Sequence, residues 1–205
     1  MLNEQLLQMN GLSVALLETL SFESRLGIPL KRNLHYFDKN ALLQELTAMT
    51  EWFDEQPLLG DIALDYRIKS IESIHSKYER YYPDHQTRKV FNDILGFRAF
   101  CGDYEELLHF DSPQFRVADM SHGKAHDDGY RGVHLYYQKS GMHYPIEIHF
   151  NTLYDRQLNN WLHDYLYKKS VPERVGQTLR ERYENGRIRN EAEFKEALND
   201  VLSGR

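Results

Sequence analysis

Between residues 143 and 151 the side chains alternate so strictly that the segment reads as a strand with two unlike faces. Tyr144, Ile146, Ile148 and Phe150 fall on one side, and His143, Pro145, Glu147, His149 and Asn151 fall on the other. One face is core, and the other is chemistry or solvent. A carboxylate flanked by imidazoles, with bulky residues beneath to lock the backbone, is a platform for holding a metal ion or accepting a proton. Residues 127 to 137 lead into it as a turn and a first strand, so the pair reads as a hairpin.

The rest of the chain is built around that hairpin. Residues 67 to 82 read as a helix, because Ile71, Ile74, Tyr78 and Tyr82 recur at three- and four-residue steps, and Pro83 helps to stop it. Lys69, Ser73 and Lys77 repeat at steps of four, which predicts a polar stripe on the opposite side. Residues 91 to 101 read as a buried apolar strand interrupted by Asp93, Gly96 and Arg98. A looser stretch to Asp128 should hold one short helix and a strand near residues 115 to 118. Tyr154, Leu158, Trp161, Leu162, Tyr165 and Leu166 mark a helix ending before Pro172, and Asn190 with Glu193 resembles a capping box opening a last helix. Helices, then strands, then helices predict an α+β fold with a central mixed, mostly antiparallel sheet flanked by helices. The expected organisation is one domain over residues 1–205, with N-terminal helices (1–60), a core (61–170) and C-terminal helices (171–205).

Composition narrows the function classes. A single cysteine, Cys101, rules out a disulfide framework and a four-cysteine zinc site. The N-terminus lacks a basic stretch followed by an apolar run, and no segment approaches the ~18 apolar residues of a membrane span, so the expectation is a soluble, cytoplasmic chain. The net charge of -6 opposes broad nucleic-acid binding, yet it is unevenly spread. Residues 1 to 65 hold ten acidic against four basic side chains, while residues 66 to 90 are locally positive. The chain has neither a Gly-rich dinucleotide loop nor a Walker-type Gly-Lys-Ser/Thr.

Each polar constellation carries a plain alternative. Arg67, Lys69, Ser73 and Lys77 form either a grip for a polyphosphate or a solvated helix face. Asp93 is either an oxygen ligand for magnesium or a turn residue pairing with Arg98. Glu147 is a base or metal ligand, or an outward side chain on a washed sheet. His134, His149 and Glu147 together have the donor types of a zinc or iron site, although their spacing matches no such signature. Tyr130 after Gly129 is either a base-stacking ring or a hairpin-corner tyrosine packed on the sheet.

Read in order, these segments resemble the synthetase domain of the RelA/SpoT family. The family pattern Arg-x-Lys-Ser-x-x-Ser-x-x-x-Lys is met by Arg67, Lys69, Ser70, Ser73 and Lys77, and Asp-x-x-Gly/Ala-x-Arg by Asp93, Gly96 and Arg98. Gly-Tyr-x-x-x-His is met by Gly129, Tyr130 and His134, and Glu-Ile-Gln-x-Arg-Thr only in part, by Glu147, Ile148 and Thr152. The resemblance covers about residues 60 to 170. It implies a stand-alone small alarmone synthetase that moves the β,γ-pyrophosphate of ATP to the 3′-hydroxyl of GDP or GTP, with Mg2+ as cofactor. It implies ATP contacts from Arg67, Lys69, Ser73, Lys77 and Arg98. It implies metal binding by Asp93 and Glu147, with Glu147 also the base, and acceptor contacts from Tyr130 and His134. His149 and Asn151 stand where the family has glutamine and arginine, so they are the expected acceptor-facing residues here. That substitution and a loop from Asp119 to Asp128 with Lys124 its one lysine also suit the family's toxin branch, which modifies the tRNA 3′ end and implies an antitoxin partner. Arg80, Arg88, Lys89, Lys168 and Lys169 would be its tRNA patch. A non-catalytic nucleotide- or RNA-binding module is the third reading, and retention of both Asp93 and Glu147 opposes it. Terminal helices leave homo-oligomerisation open.

Overall fold

The computed structural model describes residues 2–166 and 174–204. Helices come first: α1 (Leu2–Met9), α2 (Val14–Thr19), α3 (Lys39–Asp54) and α4 (Pro57–Asp61). Then follow β1 (Tyr66–Ile68), α5 (Ile71–Tyr81), α6 (Thr87–Val90), β2 (Leu95–Phe100), α7 (Glu105–Leu108), β3 (Phe115–Met120), β4 (Gly132–Tyr137) and β5 (Ile146–Asn151). The helices α8 (Leu153–Tyr165), α9 (Val175–Glu184) and α10 (Glu191–Leu202) close the chain. The five strands form one mixed sheet in the order β1-β2-β5-β4-β3, so the fold is α+β as the element order predicts. Pro172, Lys168 and Lys169 lie outside the described residues. No helix among the described residues is long and apolar enough to cross a membrane.

Two compact units share the chain. The first takes residues 1–99, 109–118 and 134–149; the second takes 100–108, 119–133 and 150–205. In the first unit, Asp38 caps α3 by accepting from Ala41 N, and the helix buries Leu42, Leu46, Met49 and Phe53 at helical steps. The core face of β5 is Ile146 and Ile148, with Tyr144 just ahead of the strand, all buried as the alternation requires. Tyr144 donates its hydroxyl to Glu45 at 2.9 Å, and Glu45 also accepts from Ser24 Oγ and Arg25 N, so this buried acid is fully engaged. The strand begins at Ile146 rather than at residue 143, because His143 pairs with Glu23 in an isolated bridge.

The predicted helix over 67 to 82 is two elements. Ser70 caps α5 by accepting from Ser73 N, which ends the helical region there and leaves Arg67 and Lys69 extended. Tyr66–Ile68 instead pairs antiparallel with β2, placing Arg67 opposite Gly96, and Lys69 N donates to Ile94 O. Ile74 and Tyr78 keep their predicted buried places on α5.

The second unit packs α8, α9 and α10 around Leu158, Trp161, Leu162, Leu179, Phe194 and Leu198. Asn190 caps α10 as its sequence suggests, accepting from Glu193 N. The returning half of the box goes one residue earlier, since Glu193 Oε2 accepts from Arg189 N at 2.7 Å.

Candidate functional site

The polar groups of the first unit converge at two carboxylates. Asp93 lies two residues ahead of β2 and is buried. Lys69 Nζ donates to its Oδ2 at 2.6 Å, Lys77 Nζ to its Oδ1 at 2.9 Å, and an Arg67 guanidinium nitrogen stands 3.7 Å from Oδ2. Lys69 reaches it from the extended segment after β1 and Lys77 from the second turn of α5, where it also donates to Val90 O. The predicted single stripe is therefore two lysines from different elements meeting on one acid. Ser73 is apart from them: it is exposed in the first turn of α5 and pairs with Ser70 Oγ at 3.0 Å. Arg98 is also exposed on β2; its backbone N donates to Asp65 O, and Asp93 pairs with the lysines, so the alternative pairing of Asp93 with Arg98 is replaced.

Burial disfavours the charged form of Asp93, but the Lys77 and Lys69 ammoniums outweigh it and hold the carboxyl below its ordinary range. A carboxyl depressed on folding stabilises the chain above its unfolded value, near 3.9, and that contribution is lost as pH falls through the lower folded value. The melting-temperature gap between wild type and Asp93→Asn should therefore be constant from about pH 5 upward and shrink on acidification below about pH 4. A gap that widens in acid would show that Asp93 is held neutral.

Glu147 stands at the centre of β5, half-buried on the polar face. Tyr136 OH donates to its Oε1 at 3.0 Å, and His134 Nδ1 lies 3.0 Å from the same oxygen. His134 and Tyr136 project from one face of β4, the strand beside β5. The other oxygen, Oε2, faces β2: a Cβ built on Gly96 would lie 3.3 Å from it. Gly96 thus makes room for the acid three residues along from Asp93. The Tyr136 hydroxyl is buried and feels both carboxylates, and burial first, then Glu147, push its pKa well above that of a free phenol. Sequence reasoning missed Tyr136; its position two residues after His134 on the same strand face was the available signal.

His149 contributes differently from a metal ligand. Its ring packs on that of His134 with centroids 4.3 Å apart, and His134 turns Nδ1 to Glu147. Among the described residues no group of three or more His, Cys, Asp or Glu has the arrangement to hold a metal by itself, which corrects the zinc or iron reading of His134, His149 and Glu147. What remains is two oxygen donors, Glu147 and Asp93, the latter with both oxygens accepting from Lys69 and Lys77 in this structure. That donor set fits magnesium, which commonly takes one or two carboxylates and completes its shell with substrate phosphates and water.

Two expected acceptor residues belong to the second unit. Tyr130 is only 8% exposed, with Lys124 Nζ 4.8 Å from its ring centroid, so one face already carries a cation. Asn151 is fully buried; Nδ2 donates to Arg131 O at 2.8 Å and Oδ1 accepts from Arg156 Nε at 2.9 Å. Both ends of this amide are used inside the fold, so the acceptor-facing role expected for Asn151 is corrected to a structural one.

No family model matches the sequence, and no curated protein matches it. Among solved structures it is similar to small alarmone synthetase 1 from Bacillus subtilis bound to its product pppGpp, at 20% identity and a TM-score of 0.44 over 80% of this chain and 91% of that one. It is similar to small alarmone synthetase 2 from the same organism at 19% identity and a TM-score of 0.42, over 80% of this chain and 92% of that one. A GTP pyrophosphokinase family protein from Streptococcus pneumoniae aligns at 20% identity and a TM-score of 0.39, again over 80% of this chain and 92% of that one.

Proposed function

We propose that this chain is a pyrophosphotransferase of the RelA/SpoT synthetase type, moving the β,γ-pyrophosphate of ATP to the 3′-hydroxyl of GDP or GTP. The observation that carries the reading is the meeting of Lys69, Lys77 and Arg67 at Asp93, together with Glu147 held by Tyr136 and His134. Pyrophosphoryl transfer asks for aligned reactants, cationic clamps and a group to take one proton, and little else from the protein. Arg67, Lys69 and Lys77 offset the charge of the ATP phosphates, and Arg98 reaches them from the exposed face of β2. Glu147 takes the proton from the 3′-hydroxyl; the oxygen bonds to the β-phosphorus, the bond from that phosphorus to the α,β-bridging oxygen breaks, and AMP leaves with the electron pair. Asp93 and Glu147 would hold magnesium, which when bound neutralises charge on the transferred phosphoryl groups. His134 and His149 flank the acceptor hydroxyl.

The test is incubation of the purified chain with ATP labelled at the β-phosphate, magnesium and, separately, GMP, GDP, GTP and bulk tRNA. Label should appear in GDP or GTP. Label in none of the four sinks the enzyme reading, and label in tRNA alone replaces the acceptor by an RNA 3′ end.

A further inference from the structure

A cavity of about 350 Å³ opens in the first unit, between α6, the start of β3, and the end of β4 with its following loop. Arg88, Lys89, Arg116 and Lys139 line it, and among the described residues no carboxylate does. In a chain of net charge -6 this is a local inversion, and it differs from the Asp93 cluster, whose cations already share an acid. Four like charges around one concavity repel one another, and a small multivalent anion relieves that repulsion.

The walls are fixed by main-chain bonds rather than by side chains. Leu30, itself fully buried, donates its N to Gly141 O at 2.9 Å and accepts from Arg88 N at 2.9 Å, so one residue ties the loop after Lys139 to α6. Gln138 N donates to Gln114 O at 2.8 Å, which ties the same loop to the approach to β3. Arg116 is aimed by its place 4.2 Å over the Tyr136 ring, and Arg88 by a bond from Nε to Gln86 Oε1. Tyr136 is part of the cavity lining and donates to Glu147, so a ligand seated here touches a side chain bonded to the candidate base.

We infer that this cavity is a second phosphate-binding site, which takes a chain of two or more phosphoryl groups on Arg88, Lys89, Arg116 and Lys139, with Tyr136 linking its occupancy to Glu147. A concavity of this size suits a short, densely charged oligophosphate, whereas a nucleic-acid backbone carries one charge per phosphodiester and needs an extended track. The oligophosphate has two possible sources, the 5′ end of the acceptor nucleotide or a separate effector. Binding itself is independent of the proposed reaction; only assignment of the chain to the acceptor rests on it.

Calorimetric titration of the full chain with sodium tripolyphosphate, without nucleotide or magnesium, tests this directly. Arg116→Gln with Lys139→Gln should weaken the binding roughly tenfold or more, since each charge-assisted contact is among the stronger ones a site can make. Both side chains are exposed, so the variant should melt with wild type, and Arg116→Lys with Lys139→Arg should restore binding. An isotherm unchanged in the double Gln variant overturns the proposal, because all binding would then lie elsewhere. Displacement of tripolyphosphate by single-stranded RNA at matched charge, with higher affinity, overturns it in favour of a nucleic-acid surface. In the transfer assay, a raised KM for a triphosphate acceptor but not for a monophosphate one supports the site and assigns the chain to the acceptor. Unchanged KM with loss of a tripolyphosphate effect on rate supports the site and assigns a separate effector. A wild-type chain that transfers nothing yet loses tripolyphosphate in the double variant defeats the proposed reaction and leaves this site standing.

Discussion

Glu147→Gln should reduce turnover by about 10²–10⁴-fold, the range that a positioned general base contributes, while ATP affinity measured without magnesium or turnover stays within about twofold. The substitution is chosen for its shape. The amide oxygen still accepts from Tyr136 OH and still meets His134, so the hairpin keeps its cross-strand bonds and loses only the negative charge. The Lys69 and Lys77 contacts to Asp93 are untouched, so the donor grip remains. A loss confined to turnover therefore separates a group acting in the transition state from one that merely binds ATP. Equal loss of turnover and ATP affinity would move Glu147 from base to binding residue, and unchanged turnover would remove it from the mechanism. Tyr136→Phe is the companion measurement. It leaves the charge in place and takes away one hydrogen bond to Oε1, so its effect on turnover should be smaller than that of Glu147→Gln.

The two carboxylates were legible in the sequence for different reasons. Glu147 was legible because a strand has a period of two, and a glutamate in the middle of an alternating β-branched and aromatic run stands out whatever its neighbours are. Asp93 stood out as the one acid before an apolar strand, but its partners did not. Lys69 and Lys77 are eight residues apart and sit at helical steps, so periodicity alone puts them on one helix. The cap at Ser70 breaks that pattern, and the two ammoniums meet only because β1 pairs with β2 and brings Lys69 back beside the start of that strand. Tyr136 was overlooked although it shares the strand face of His134, because with 14 tyrosines no single one is conspicuous, and Glu45 left no signal, because its role depends on a partner 99 residues away. Asn151 shows the limit of alternation. Both it and Phe150 are buried, because the last residues of β5 lie within the second unit, where the amide is used by Arg131 and Arg156.

Arg180→Ala should cost about 3–5 kcal/mol of stability, because it leaves a nearly buried carboxylate without its cation. Arg180 is fully buried on α9. Its guanidinium donates to Asp155 Oδ1 at 2.6 Å, to Asn159 Oδ1 at 3.1 Å and to Gly129 O at 2.8 Å. The last of these bonds matters for the turn that carries Tyr130. Gly129 has φ +86, and a Cβ on it would come 2.3 Å from Gly176 O; a Cβ on Gly176 would come 1.9 Å from Asp128 O. The turn and the first residues of α9 are thus in backbone contact, and Arg180, one helical turn further on, fastens the same carbonyl. Asp155 keeps hydrogen bonds from Tyr104 OH and Thr152 Oγ1 in the variant, but neither offsets its charge. The melting temperature should fall by roughly 10 °C or more for a chain of this length. Asp155→Asn in the same chain should recover part of that loss, since the uncompensated charge is gone, and a double variant that melts lower than Arg180→Ala would show that packing around the guanidinium, rather than its pairing with Asp155, is what the fold loses.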